Sequence, residues 1–233
     1  MQIKACLFDV FGTLTDWRSG VSTVAGPIFA ELGIAVPPAE FAARWRAEYQ
    51  PSMERVRAGG RQYTALEHLH LENLDIVLAE YGVSLPAPAR HRLNAAWSKL
   101  PVWQDVPDPL LRLRNTHLVA PCSNGSVSMM VGIARHNALH WDFIGGAPLA
   151  RAYKPMLEVY VQSVAAFGLQ PEDVMMIAAH NDDLEAAQSA GLATGFFPRP
   201  TEYGAGQITD LSAERDWDIV APDFPTLVSC LTD

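Results

Sequence analysis

Apolar residues follow two rhythms along this chain. Short, mostly apolar runs occur at Ile3 to Val10, Thr116 to Pro121, Val174 to Ala179 and Ala193 to Phe197, with a shorter one at Asp218 to Val220. Each stops at a polar or turn-forming cluster: Gly12, Ser123-Asn124-Gly125, His180-Asn181-Asp182-Asp183, Pro198 and Ala221-Pro222-Asp223. Short apolar runs bounded by breakers predict buried strands. Between them, Ser126 to Ala138 and Pro155 to Phe167 carry apolar residues at helical spacing, and Leu184 to Ala190 follows the third run directly. Strand-helix alternation predicts an α/β fold, a doubly wound and mostly parallel sheet with helices on both faces. Such sheets bind ligands beyond the carboxyl ends of their strands. Asp9, Ser123-Asn124 and Asp183, from three distant parts of the chain, then share one candidate cleft.

The stretch from about Gly20 to Lys99 contains no convincing strand. Helical patterns run through Val24 to Leu32, Ala39 to Met53 and Thr64 to Tyr81, with breakers at Pro37-Pro38, Gly59-Gly60 and Pro86. The natural reading is a helical insertion after the first strand, and no internal repeat or low-complexity tract complicates it.

Composition narrows the function. A length of 233 residues accommodates a core with a smaller attached domain. The formal net charge of -9, without any basic run, argues against nucleic acid as a partner. Cys6, Cys122 and Cys230 are odd in number and widely spaced, which suggests neither a disulfide framework nor a zinc knuckle. A reducing cytoplasm is the simplest location. The N-terminal apolar run is too short for a signal peptide, and no apolar stretch reaches membrane-spanning length.

Four clusters can carry chemistry, and each has a plain structural alternative. In Phe8-Asp9-Val10-Phe11-Gly12-Thr13-Leu14, an aspartate at a strand end is followed by a turn whose N–H groups can hold an anion. An aspartate capping a turn is the ordinary alternative. Ser123-Asn124-Gly125 reads equally as a helix N-cap. Lys154-Pro155 reads equally as an extended surface dipeptide. Asp182-Asp183 reads equally as acidic residues favoured by a helix dipole. His136 and His140 stand i, i+4 without an evident third ligand, so they read as structural, and His68 and His70 point to different helical faces.

Taken together, in this order and at these intervals, the clusters strongly resemble the haloacid dehalogenase superfamily over nearly the whole chain. The resemblance implies a Rossmann-like core at about residues 1–15 and 100–233 and a helical cap at about 16–99. Most members of that superfamily are magnesium-dependent phosphatases with a second Asp two residues after the nucleophile, where this chain has Phe11. A phenyl ring transfers no proton. Ala179 stands where the first metal carboxylate of the last motif belongs, so Mg²⁺ loses one of its hard oxygen ligands. The pattern is instead similar to the L-2-haloacid dehalogenase branch, with Phe11 in place of a tyrosine, a Trp45-Arg46 pair in the cap, Tyr153-Lys154-Pro155 with Tyr160 beyond, and Asp183 last. His180 departs from the asparagine usual in that branch, and Ala178 stands where some members have serine.

The resemblance implies hydrolysis of a small 2-haloacid to a 2-hydroxy acid, with no cofactor and no metal. Asp9 attacks C2 in line, the halide leaves with inversion, and water then hydrolyses the Asp9 ester. Thr13 orients Asp9; Lys154 pairs with Asp9 and Asp183; Asp183 serves as base; Ser123 and the turn N–H groups hold the substrate carboxylate. Val10, Phe11, Trp17, Arg46, Asn124, Tyr160, His180 and Asn181 form the substrate and halide pocket. Arg46 holds halide or carboxylate, while Asn124 and His180 donate to the halide. A homodimer is also implied. Two alternatives stay open here: a phosphatase or phosphonate hydrolase recruiting a metal through Asp9 and Asp183, and a catalytically idle binding protein.

Overall fold

The computed structural model describes residues 3–232. It begins with strand β1 (Ala5–Phe8), followed by helices α1 (Trp17–Leu32), α2 (Pro38–Ala47), α3 (Tyr49–Arg57), α4 (Leu66–Glu80) and α5 (Ala87–Asn94) without an intervening strand. The remainder alternates: α6 (Pro107–Arg114), β2 (Leu118–Ser123), α7 (Val127–His136), β3 (Gly145–Gly146), α8 (Ala147–Ala150), α9 (Leu157–Ala166), β4 (Val174–Ala178), α10 (Asn181–Ser189), β5 (Ala193–Phe196), β6 (Ile219–Val220) and α11 (Phe224–Thr232).

The strands form one six-stranded sheet in the order β3-β2-β1-β4-β5-β6. Every pairing is parallel; Ala5 is in register with Leu118 on one side and Val174 on the other. The reason is visible in β1. All four of its side chains are buried, and because side chains alternate along a strand, Ala5 and Leu7 face one layer while Cys6 and Phe8 face the other. Ala5 and Leu7 pack with Met176, Tyr160 and Leu184, under α9 and α10. Cys6 and Phe8 pack with Val119, Leu110 and Phe224, under α6 and α11. A strand covered on both faces has no use for polar alternation, which is why the run reads as continuously apolar.

The helices from α1 to α5 bury their own cluster, including Phe29, Phe41, Trp45, Leu69 and Trp97, and this cluster also takes in Val10 and Phe11. The chain leaves and rejoins the sheet at adjacent points: Thr15 bridges Val102, Asp16 N–H donates to Pro101 O, and Trp103 N–H donates to Leu14 O.

Element boundaries differ from the pattern reading where a local cap or break intervenes. Helix α1 starts at Trp17 rather than Val24, because the Asp16 carboxylate accepts from the Ser19 N–H. The expected helix from Ala39 to Met53 is divided at Glu48, whose carbonyl accepts from the Asn73 side chain. Strand β3 is two glycines, which carry no strand signal; a Cβ on Gly145 would sit 2.8 Å from Ser163 Oγ.

Candidate active site

The carboxyl ends of β1, β2 and β4 meet where the strand order reverses direction about β1, the usual ligand position in such a sheet. Asp9 follows β1 directly. Its N–H is still bonded to Ile177 O at 3.1 Å, so β4 fixes the main chain while the side chain leaves the sheet. The next residues fold into a tight turn in which Val10 O accepts from Leu14 N–H, Thr15 N–H and the Thr15 hydroxyl. Gly12 in that turn has φ +94°, and a Cβ there would lie 2.1 Å from Glu202 Oε1. Only glycine fits both the conformation and the contact.

Four side chains converge on the Asp9 and Asp183 carboxylates. The Thr13 hydroxyl donates to Oδ2 at 2.7 Å and accepts from Ala179 N–H at 3.0 Å. Lys154 Nζ donates to Oδ1 at 2.8 Å and to Asp183 Oδ2 at 2.6 Å. His180 Nδ1 lies 3.2 Å from Oδ2. The Tyr160 hydroxyl completes the set by donating to Asp183 Oδ1 at 2.5 Å. The side chains of Lys154, Asp9 and Asp183 are at most 9% exposed, so water screens these charges little.

The charges order themselves accordingly. Burial alone would raise the Asp9 carboxyl, but the Lys154 ammonium and His180 outweigh it and hold Asp9 well below the ordinary carboxylate range. Burial would likewise deprotonate Lys154, yet Asp183 and Asp9 push it up and keep it charged. Asp183 moves upward, through burial first and then the Asp9 charge, with Lys154 opposing. One carboxylate is therefore held ionised, while its neighbour is a stronger base than an ordinary aspartate. Burial and the adjacent Asp183 push the Tyr160 phenol up, so it remains a donor.

These groups open onto a cavity of about 300 Å³ whose lining includes Asp9, Phe11, Arg46, Tyr49, Lys154, Tyr160, His180 and Asp183. Arg46, on α2, stacks its guanidinium 3.8 Å from the centroid of the Tyr49 ring, and its Nε has no hydrogen-bond partner among the described residues. A guanidinium left with free donors at a cavity wall is suited to an anion. The arrangement thus offers an ionised nucleophile, a base and an anion anchor facing one small space.

Of the other expected site residues, Asn181 also lines the cavity, and Ser123, Asn124, Val10 and Trp17 stand outside that lining. Ser123 is fully buried and its Oγ accepts from Gly125 N–H. Asn124 Oδ1 accepts from Lys154 N–H at 2.8 Å and so fixes the lysine's main chain. Val10 packs into the helical cluster. Trp17 is buried with its indole N–H on Glu202 Oε1. Asn181 lines the cavity, but its amide is occupied by Asp210 and Ser212 O, and its carbonyl by Glu214 N–H and the Trp217 indole. His180, expected to assist a departing halide, lies on the cavity wall between two carboxylates. One ring nitrogen faces Asp9 and the other faces Glu202 Oε2 at 2.8 Å.

The donor set does not fit a divalent cation. Asp9 and Asp183 already share the Lys154 ammonium, Ala179 offers no carboxylate, and no cluster of three potential ligands occurs among the described residues. His136 and His140 belong to no such cluster.

Glu202, His70, Tyr49 and Tyr203 did not emerge from the sequence as site residues. Tyr49 lies three residues beyond Arg46, and helical spacing places the two on one face. Nothing local marks Glu202 or Tyr203, which reach the site from a loop after β5. His70 is buried against Trp97, with ring centroids 4.3 Å apart.

Comparison with known proteins gives the family of the fold. Residues 3–191 match the haloacid dehalogenase-like hydrolase family. A crystal structure of a defluorinating L-2-haloacid dehalogenase superimposes with a TM-score of 0.97 at 40% identity, covering 99% of this chain and 96% of that one. Another L-2-haloacid dehalogenase structure gives 0.95 at 41% identity, covering 98% of each chain. The (S)-2-haloacid dehalogenase 4A of Burkholderia cepacia is 27% identical over 208 residues, 87% of each chain. On the strength of that match and of the sheet that carries it, the chain belongs to the haloacid dehalogenase-like hydrolases.

Proposed function

We propose that the chain is a hydrolase that converts small (S)-2-haloacids to 2-hydroxy acids through an ester on Asp9, without a metal. The observation that carries this reading is the Asp9 carboxylate itself, ionised by Lys154 at 2.8 Å and facing a small cavity with Arg46 on its wall. In-line attack on C2 forms the Asp9 ester and expels halide with inversion. A halide leaves without a proton, so Phe11 is adequate where a phosphatase needs an acid. Arg46 anchors the substrate carboxylate or receives the halide. Asp183 takes a proton from the water that attacks the ester carbonyl. The activities of the three relatives support the same substrate class.

Within this reading, residues 16–99 act as a helical cap on a core of residues 1–15 and 100–233, and the enzyme is a cytoplasmic homodimer. The free cysteines support a reducing compartment. No helix among the described residues is long and apolar enough to cross a membrane.

Halide release from a panel of 2-haloacids, fluoroacetate included, tests the proposal. The wild type is expected to release halide with EDTA present, and Asp9→Asn to release none. After turnover in ¹⁸O-water, mass spectrometry is expected to find label in Asp9. Turnover lost on adding EDTA returns the phosphatase reading; an absence of turnover and label on every substrate returns the idle one.

A further inference from the structure

One buried carboxylate touches the site and has no part in the reaction as described. Glu202 is 1% exposed. Its Oε1 accepts from the Trp17 indole at 2.9 Å, its Oε2 faces His180 Nε2 at 2.8 Å, and it lies where a Cβ of residue 12 would be. A carboxylate so enclosed is unfavourable unless paired. Its ring partner, His180, carries the contact onward to Asp9 Oδ2.

We propose that Glu202 is a positioning residue: through His180 it holds an imidazolium N–H on Oδ2 of Asp9, which makes Oδ1 the attacking oxygen and Oδ2 the oxyanion during ester hydrolysis. This rests on the dehalogenase reading above.

The lone pairs decide between the two oxygens. A carboxylate oxygen has about two acceptor sites. Both sites on Oδ2 are taken, by Thr13 at 2.7 Å and by His180 at 3.2 Å. Oδ1 has one donor, Lys154, and keeps a second site for the bond to C2. In the first step the Oδ1–C2 bond forms, the C2–halogen bond breaks and the halide leaves with the electron pair. Oδ2 becomes the ester carbonyl, already facing two donors. Water then adds to Cγ while Asp183 takes its proton, and the negative charge develops on Oδ2. Collapse breaks the Cγ–Oδ1 bond, and Asp183 returns the proton to the departing alkoxide. Asp9 loses the remaining water proton to solvent. Donors placed where charge develops act on that step alone.

The charged groups facing His180 are Asp9 at the end of β1 and Glu202 from the loop after β5; Lys154 and Arg46 line the same cavity. Burial alone would lower the imidazole, but the two carboxylates outweigh it and raise it well above its ordinary value. A simple clamp for the Glu202 loop has no need of a charged ring.

Glu202→Gln separates the two roles. The glutamine carbonyl can accept from Trp17 while its NH₂ donates to His180 Nε2, so a neutral imidazole keeps its Nδ1–H on Asp9. Pre-steady-state halide release and intact-mass measurement follow the two steps with 2-chloropropionate. The expected result is a halide burst within about threefold of wild type, ester hydrolysis slower by about ten- to a hundredfold, accumulated ester on Asp9, and an alkaline limb of hydrolysis moved to lower pH. His180→Gln, which removes the same charge, is expected to accumulate ester too and stands in if the first variant does not fold. Equal slowing of both steps, or no change in either step and an unmoved alkaline limb, overturns the proposal while leaving the dehalogenase reading intact. A wild type that releases no halide overturns both.

Discussion

Tyr160 donates its hydroxyl to Oδ1 of Asp183 at 2.5 Å, reaching from α9 to the first turn of α10. The bond favours the ionised form of a carboxyl group that burial pushes upward. Tyr160→Phe removes that support, so the Asp183 pKa rises further. A base works only when deprotonated; the acid limb of kcat therefore moves to higher pH, and kcat at neutral pH falls by about tenfold. Steady-state rates of halide release between pH 5 and 9 measure both effects. An acid limb that stays in place rules out Asp183 as the base supported by Tyr160.

The fold was largely legible because its strands are short apolar runs stopped by polar clusters. β1, β4 and β5 lie inside the predicted runs, β2 runs on past Pro121 to Ser123, and the residues after β1, β2 and β4 include Asp9, Asn124 and Asp183. Lys154 was legible through its place before Pro155 in a family pattern rather than through its physics, since no local rule brings a loop lysine to a strand end. What escaped is what long-range packing decides. The buried Glu202 sits in an otherwise ordinary loop segment, Arg199 to Tyr203, and only the folded turn at Gly12 explains why it is buried. Helix α5 escaped because it has no apolar stripe at helical spacing: its one buried side chain is Leu93.

Lys154→Met keeps the length of the side chain and deletes its charge. Two buried carboxylates then face each other without the ammonium between them, with His180 left as the one cation on Asp9, and the pair takes up a proton more readily. Breaking a buried pair in this way lowers unfolding stability by about 3–5 kcal/mol. With Asp9 partly neutral, halide release is expected to fall by about a thousandfold or more. Urea denaturation and halide assays at pH 7 measure the two losses; a variant with wild-type values in both contradicts the central role given to this lysine.

His70 and His180 give the chain opposite responses to pH. Burial, and then the nearby Arg46 charge, lower the His70 imidazole well below its ordinary value. The folded state therefore stays neutral there while the unfolded chain takes a proton below about pH 6.5, so stability falls as pH drops through that value. His180 is raised, and its contribution is full below about pH 6.5 and lost as pH rises through its folded value. Both nitrogens of His70 lack partners among the described residues, so His70→Phe has no hydrogen bond to lose. Its stability is expected to match or exceed wild type at pH 7, and to fall less between pH 6.5 and 5, by up to about 1.4 kcal/mol per pH unit. Denaturant titrations of both proteins at the two ends of that range measure the difference.

Two further bonds reach the segment that carries Lys154. Arg57, on α3, donates to the carbonyl of Lys154 at 2.9 Å, and the Tyr153 hydroxyl donates to the carbonyl of Thr64 ahead of α4. The helical layer is thus moored to the peptide whose ammonium is paired with Asp9. An outward swing of α3 and α4 either snaps these moorings or drags the ammonium off Asp9. The placement of the helical layer and the ion pair on Asp9 are therefore mechanically linked.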